Sequence, residues 1–179
     1  SKNKDKVLER MDRSQGYREA HEGAILINKG ETYRVENINF SKKIVNVIKQ
    51  EVDYHTMALH DTDITINKKI SKINYGDFSI NFGELTVKED YYKYKIMQYS
   101  KVLGQETLNL KPLKFKTKGL WFTIPESIKN QIEKEFTEDE SFQGGIHGAE
   151  HALIGLFPLH VMCDRFDIGG LSTDYHEDT

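Results

Sequence analysis

The chain has 179 residues, 37% of them hydrophobic and 30% charged, with a formal net charge of −3. That supplies apolar material for one ordinary domain or two small ones packed together, and 11% aromatic residues exclude full disorder. The longest apolar run, Ala152 to Cys163, is broken by Gly155, Pro158 and His160 and falls short of the roughly 20 residues a helical membrane span needs.

Residues 2–13 place Val7, Leu8 and Met11 at helical spacing among charges and predict a short amphipathic connector helix within 1–16. From Ala24 to about Ile124 short β-rich runs follow, divided by turn signals. They are AILIN, the turn Asn28-Lys29-Gly30-Glu31, TYRVENINF, Ser41-Lys42-Lys43, and IVNVIKQEVDYHTMA. ITINKKI and FSINFGELTV then alternate around Asn74-Tyr75-Gly76-Asp77, and YYKYKIMQYS, a Gly104 turn and KFKTKGLWFTI complete the set. Strand spacing of this kind predicts a curved antiparallel sheet or small barrel.

Pro125-Glu126-Ser127 opens a helix in which Ile128, Ile132 and Phe136 recur every four residues. After an acidic turn at Glu138 to Glu140, Gly144-Gly145 precede a second helical segment, HGAEHALIGLFPLHVMCDR. Apolar residues on nearly every side of it predict burial between other elements. The expected class is α+β, with a β-rich subdomain over 17–124 followed by a packed helical subdomain over 125–179. The absence of Met at position 1 and the polar end Ser172 to Thr179 suggest a piece of a longer polypeptide.

Three constellations bear on chemistry. His147-Gly148-Ala149-Glu150-His151 fits the His-x-x-Glu-His spacing of inverted zinc peptidases, with the two imidazoles one helical turn apart and Glu150 placed to activate a water. A third ligand would have to come from Asp164, Asp167, Asp174, His176 or Glu177, and the plain alternative is a first helical turn bonded to its neighbours. Cys163 has no Cys-x-x-Cys partner and no sequence-defined base, so it reads as a small hydrophobe near a helix end. Beside it, Asp164-Arg165-Phe166-Asp167 and Gly169-Gly170 predict a turn fixed by Arg165 between two carboxylates, with the glycines supplying unusual backbone angles. A lone cysteine and the lack of a basic, then apolar, leader point to a cytoplasmic protein.

The third constellation is basic. Lys93 and Lys95 lie among Tyr91, Tyr92, Tyr94 and Tyr99, and Lys114, Lys116 and Lys118 precede Trp121-Phe122. Period-two alternation gathers the lysines on one strand face and the aromatics on the other. Such a face tracks phosphates or is simply solvated, and tyrosines stack on bases only where they point the same way as the lysines. There is no Gly-Lys dipeptide for a phosphate-binding P-loop and no Gly-x-Ser-x-Gly.

The run from Gly148 to Ser172, GAEHALIGLFPLHVMCDRFDIGGLS, resembles the C-terminal accessory region of bacterial superfamily 2 DNA helicases of the mitomycin repair factor A (YprA-like) type, related to a RecQ-like family in fungi. Tyr17 to Tyr33, Val52 to Thr56 and Leu120 to Pro125 agree with it, so the resemblance spans almost the whole chain. It implies part of an ATP-driven helicase of DNA repair that translocates on single-stranded DNA. ATP and Mg would be bound by motor domains earlier in the same chain, and Zn by a later four-cysteine cluster. Neither lies in these residues, so no cofactor and no catalytic residue is expected here. Glu150, His151, Asp164, Arg165, Asp167, Gly169 and Gly170 carry over as a structural signature. Besides a DNA-holding brace, a zinc peptidase and a protein-interaction scaffold using Leu153 to Met162 stay open.

Overall fold

The computed structural model describes residues 6–76, 78–135 and 141–176. In chain order its elements are α1 (Arg13–Glu19), β1 (Ile25–Asn28), β2 (Glu31–Asn39), β3 (Ile44–Lys49), β4 (His55–Tyr75), β5 (Phe78–Gln98), β6 (Lys101–Thr107), β7 (Leu113–Phe122), α2 (Glu126–Glu135) and α3 (Ser141–Leu156). Single 3-10 turns follow at Phe157–Leu159 and Arg165–Asp167. The class is α+β, and the sheets are open, which removes the barrel alternative. One sheet has the order β1-β2-β3; the other runs β4-β5-β6, with β7 also paired to β5. The chain divides into two compact units, one of Ser1–Asp63 with Lys88–Lys114 and one of Ile64–Val87 with Phe115–Thr179.

In the first unit the opening helix is displaced from its expected place. Residues 6–12 are not helical, and α1 starts at Arg13 because Asp12 holds an extended backbone and its side chain accepts from the Gln15 N–H at 2.8 Å. Val7 is exposed, whereas Met11 packs on a core of Ala20, Ala24 and Val35 beneath the three-stranded sheet. The β1–β2 turn is the one the sequence indicates. Lys29 and Gly30 both have positive φ, 53° and 80°, the primed geometry that matches strand twist and that glycine adopts without strain. The expected run from Ile44 to Ala58 is interrupted at residues 50–54, where the Gln50 N–H bonds the Thr32 carbonyl.

The expected turn at Gly104 falls instead at Tyr99 and Ser100, with Tyr99 at φ 53°. Gly104 lies inside β6 opposite Ile96, beside a register shift that absorbs an extra residue. A second core joins Tyr17, Tyr91 and Leu113, and the Tyr91 ring stacks on His60 with centroids 4.7 Å apart. Tyr91 donates to Glu89 at 2.8 Å and Tyr94 donates to Glu106. Burial first, and then these carboxylates, raise both hydroxyl pKa values.

His21 is fully buried against the Tyr94 ring, centroids 4.5 Å apart. Its Nδ1 lies 3.0 Å from the Glu22 carbonyl, and its Nε2 meets no hydrogen-bond partner among the described residues. Burial lowers its pKa below the ordinary 6.5, the Glu22 bond opposing in part. Below that value the unfolded chain takes up a proton that the folded chain refuses. Stability is therefore full above pH 6.5 and falls on acidification towards the depressed folded value. We expect the urea midpoint to drop between about pH 7.5 and about pH 5.5, and His21→Gln to show a smaller drop.

In the second unit alternate β5 residues Asn81, Gly83, Leu85 and Val87 are buried. The Trp121 ring of β7 covers Gly83, and Leu85 lies over Gly119. After Pro125, α2 begins where the sequence indicates; Phe136 and the turn at Glu138 to Glu140 lie outside the described residues, as does Asp77. The second helix starts earlier than expected, at Ser141, so Gly144 and Gly145 lie within it. It is not buried: among its described side chains only Ile154 is inaccessible, at 8%, while Leu153, Leu156, Val161 and Leu159 (76%) are exposed. The described neighbours of α3, namely α2 and the segment after Ile168, leave much of its apolar surface uncovered. Among the described residues no helix is long and apolar enough to cross a membrane.

Candidate nucleic-acid interface

On β5, Lys93 is exposed and Lys95 half-buried, opposite Thr107 and Gln105 of β6. The Lys93 ammonium lies 5.7 Å from the Tyr92 ring centroid. Tyr91 and Tyr94 are core residues, so of the four tyrosines near these lysines only Tyr92, half-buried, and Tyr99, in the β5–β6 turn, reach the surface. Burial on β5 changes phase between Tyr91 and Tyr94, a shift that simple alternation does not foresee.

Lys114, the second residue of β7, belongs to the first unit and is exposed. In the second unit Lys116 and Lys118 continue the same side of β7, two residues or about 6.7 Å apart by strand rise. The less accessible residues of that strand, Leu113, Gly119 and Trp121, take the opposite side. Among the described residues none of the five lysines forms an ion pair with a carboxylate. Cations on a strand surface without internal partners keep their charge available to an outside anion.

Residues of α3 are tied to the segment that follows it. Glu150 accepts from the Ser172 hydroxyl at 2.6 Å, and Gln143 donates to Asp174 at 2.9 Å. His176 Nε2 lies 2.7 Å from the Ile64 carbonyl. A Cβ on Gly170 would fall 2.6 Å from Ile154 Cδ1 and 2.8 Å from Glu150 Oε1, so the segment approaches the helix closely because this residue lacks a side chain. Gly169 has open space around it, and neither glycine has positive φ; the expected unusual backbone angles are replaced by a need for room at Gly170 alone. Asp167 accepts from the Asp164 N–H at 3.1 Å, and Arg165 donates to the Ile168 carbonyl at 3.2 Å rather than to the carboxylates. Cys163, half-buried, donates weakly to the Val161 carbonyl at 3.4 Å.

His147 and His151 face each other Nε2 to Nε2 at 3.2 Å, a separation that needs a proton on one of the two. His147 Nδ1 lies 3.3 Å from Glu150 Oε2, whose other neighbour is Ser172. Asp174 and His176 are engaged elsewhere, and among the described residues no group of three or more His, Cys, Asp or Glu is placed to hold a metal; Glu177 lies outside them. The geometry does not favour the zinc peptidase.

Sequence reasoning missed a group of exposed rings in the second unit. Tyr75 and Phe78, flanking the β4–β5 turn, stack at 6.1 Å between centroids, and Phe78 meets Phe122 of β7 at 6.3 Å. The signal was present in the aromatics on either side of Gly76-Asp77.

No protein-family model matches the chain. It is 25% identical over 167 residues to the ATP-dependent helicase hrq1 of Schizosaccharomyces pombe, covering 92% of this chain and 15% of that protein. It is 25% identical over 170 residues to the uncharacterized ATP-dependent helicase YprA of Bacillus subtilis, covering 91% of this chain and 21% of the relative. The chain is thus similar in sequence to ATP-dependent helicases of a fungus and of a bacterium. Its fold is similar to that within a crystal structure of the DUF1998 helicase MrfA bound to DNA, with a TM-score of 0.57 and 22% identity over 88% of this chain and 20% of that one. A second MrfA structure, bound to DNA and AMPPNP, gives a TM-score of 0.51 at 21% identity. The chain thus spans about a fifth or less of the Hrq1/YprA relatives it matches.

Proposed function

We propose that this chain is a non-catalytic C-terminal accessory region of an ATP-dependent DNA helicase of DNA repair, which helps to hold single-stranded DNA and braces the motor. The observation that carries the reading is a set of lysines that meet no carboxylate among the described residues, Lys93, Lys95, Lys114, Lys116 and Lys118, in a chain similar to helicases. Motor domains of the same chain would supply ATP and Mg chemistry, and a separate cysteine cluster the zinc, while these residues do none of it. The signature around Glu150, Gly170 and Ser172 shapes the fold and takes no part in turnover. Exposed Leu153, Leu156, Leu159 and Val161 support the bracing half of the reading. A cytoplasmic setting accompanies it.

Fluorescence anisotropy with a single-stranded oligonucleotide at roughly 50 and roughly 200 mM salt tests the DNA role. Replacing all five lysines by Gln is expected to flatten the dependence of log K on log salt by up to about 3.5, near 0.7 for each phosphate left without a cation. Absence of binding even at the lower salt removes DNA from the reading and leaves a scaffold. An unchanged slope in the variant takes the role away from these lysines.

A further inference from the structure

A row of cations on one strand holds a polynucleotide by its phosphates and leaves the bases without a partner. Proteins that hold single strands supply that partner as exposed aromatic faces beside the cationic track. On β5 Tyr91 and Tyr94 cannot do this, because both are spent in the core. The second unit offers other rings. Tyr75 is 58% exposed, Phe122 43% and Phe78 39%, and the three touch in sequence from Tyr75 through Phe78 to Phe122.

Three contacting rings at the surface of one small unit cost free energy in water, since each leaves apolar area hydrated that burial would remove. Their placement relative to charge is specific. Along β7 every second residue from Lys116 takes the same side, so Lys116, Lys118, Leu120 and Phe122 share one face, all four exposed. Lys118 and Phe122 are then about 13 Å apart along the strand. The cationic row therefore runs into the aromatic group without changing face. Beside Phe78 lies a cleft of ≈ 210 Å³ lined by Lys72, Asn74, Ser79, Thr123 and Pro125, which adds a further cation and side chains able to bond base edges.

We propose that Tyr75, Phe78 and Phe122 form a stacking platform for the bases of single-stranded DNA whose phosphates follow Lys116 and Lys118 on the same face of β7. This rests on the DNA-holding reading and gives it a location. Stacking is tolerant of base identity because every base has a π-face, so the platform grips a strand without reading its sequence. Asn74, Ser79 and Thr123 meet base edges only at the cleft.

The test compares the full chain on an oligothymidine and on an abasic deoxyribose-phosphate oligomer of equal length, by anisotropy at low salt. The oligothymidine is expected to bind at least about tenfold tighter, the difference being the stacking contribution. Tyr75→Ala with Phe78→Ala, and separately Phe122→Ala, should bring it down to the abasic level and leave abasic binding and the salt slope unchanged. Tyr75→Phe and Leu120→Ala should bind as the parent chain does, the first because it keeps the ring and the second because it removes only an exposed aliphatic group. If the ring variants bind oligothymidine as tightly as the parent chain, the platform is wrong while the lysine reading stands. Equal loss on both oligomers assigns the rings to packing and also overturns it. If the parent chain binds neither oligomer, the DNA-holding reading fails and the platform with it.

Discussion

Tyr91→Ala is expected to lower stability by about 3–5 kcal/mol, the range for truncating a buried aromatic. Tyr91 is 2% exposed, packed with Tyr17 and Leu113, stacked on His60 and bonded to Glu89. Removing the ring opens a cavity between Tyr17 and Leu113 and leaves Glu89 without its donor. A urea denaturation series with unchanged m measures the loss directly. Tyr92, its half-buried neighbour, should lose far less on the same substitution. A loss at Tyr91 of under about 1 kcal/mol would contradict its place in the core.

Gly83→Ala is expected to cost about 3 kcal/mol, at the upper end of what one added methyl does in a filled space. The methyl would collide with the Lys68 carbonyl and lie 2.9 Å from Cη2 of Trp121. The carbonyl belongs to the backbone of β4, so relief requires a strand to move rather than a side chain to turn. The chain has one tryptophan, so its emission reports the displacement at the same site. Gly104→Ala provides the contrast: its nearest neighbour would be Ile96 Cδ1 at 3.9 Å, an ordinary contact, and the change should lie within about 1 kcal/mol of neutral. Similar losses for the two glycines would mean that β4 and β7 do not close on β5 as described.

Local chemistry made some of this structure readable in advance. Asn28-Lys29-Gly30-Glu31 specifies its own turn, the aromatic and β-branched runs around Gly76 give the β4–β5 hairpin, and Pro125 opens α2, because in each case the deciding interaction lies within a few residues. The alternation of lysines on β7 was readable for the same reason. Other features depend on distant partners. Whether Tyr91 or Tyr92 faces the core depends on where Tyr17 and Leu113 arrive, and the phase change before Tyr94 has no signature in YYKYK itself. The helical segment after Gly145 has apolar residues all round, which on its own reads as burial, yet only Ile154 is enclosed by the described residues. Gly170 reads in the sequence as a source of unusual backbone angles and is instead a gap for Ile154 and Glu150. The Tyr75, Phe78 and Phe122 group joins a turn to a strand more than forty positions away in the chain, and pattern along one element does not show it.

The two compact units are each assembled from separated stretches of chain, with Ile64–Val87 leaving and re-entering the first between Asp63 and Lys88. No single cut in the gene can therefore release either one whole. A shortened version that ends at Lys114 keeps every residue of the first unit but carries a hairpin stripped of most of β7 and of both later helices. To obtain that unit cleanly, an experimenter would excise the hairpin and splice Asp63 to Lys88 through a new tight turn.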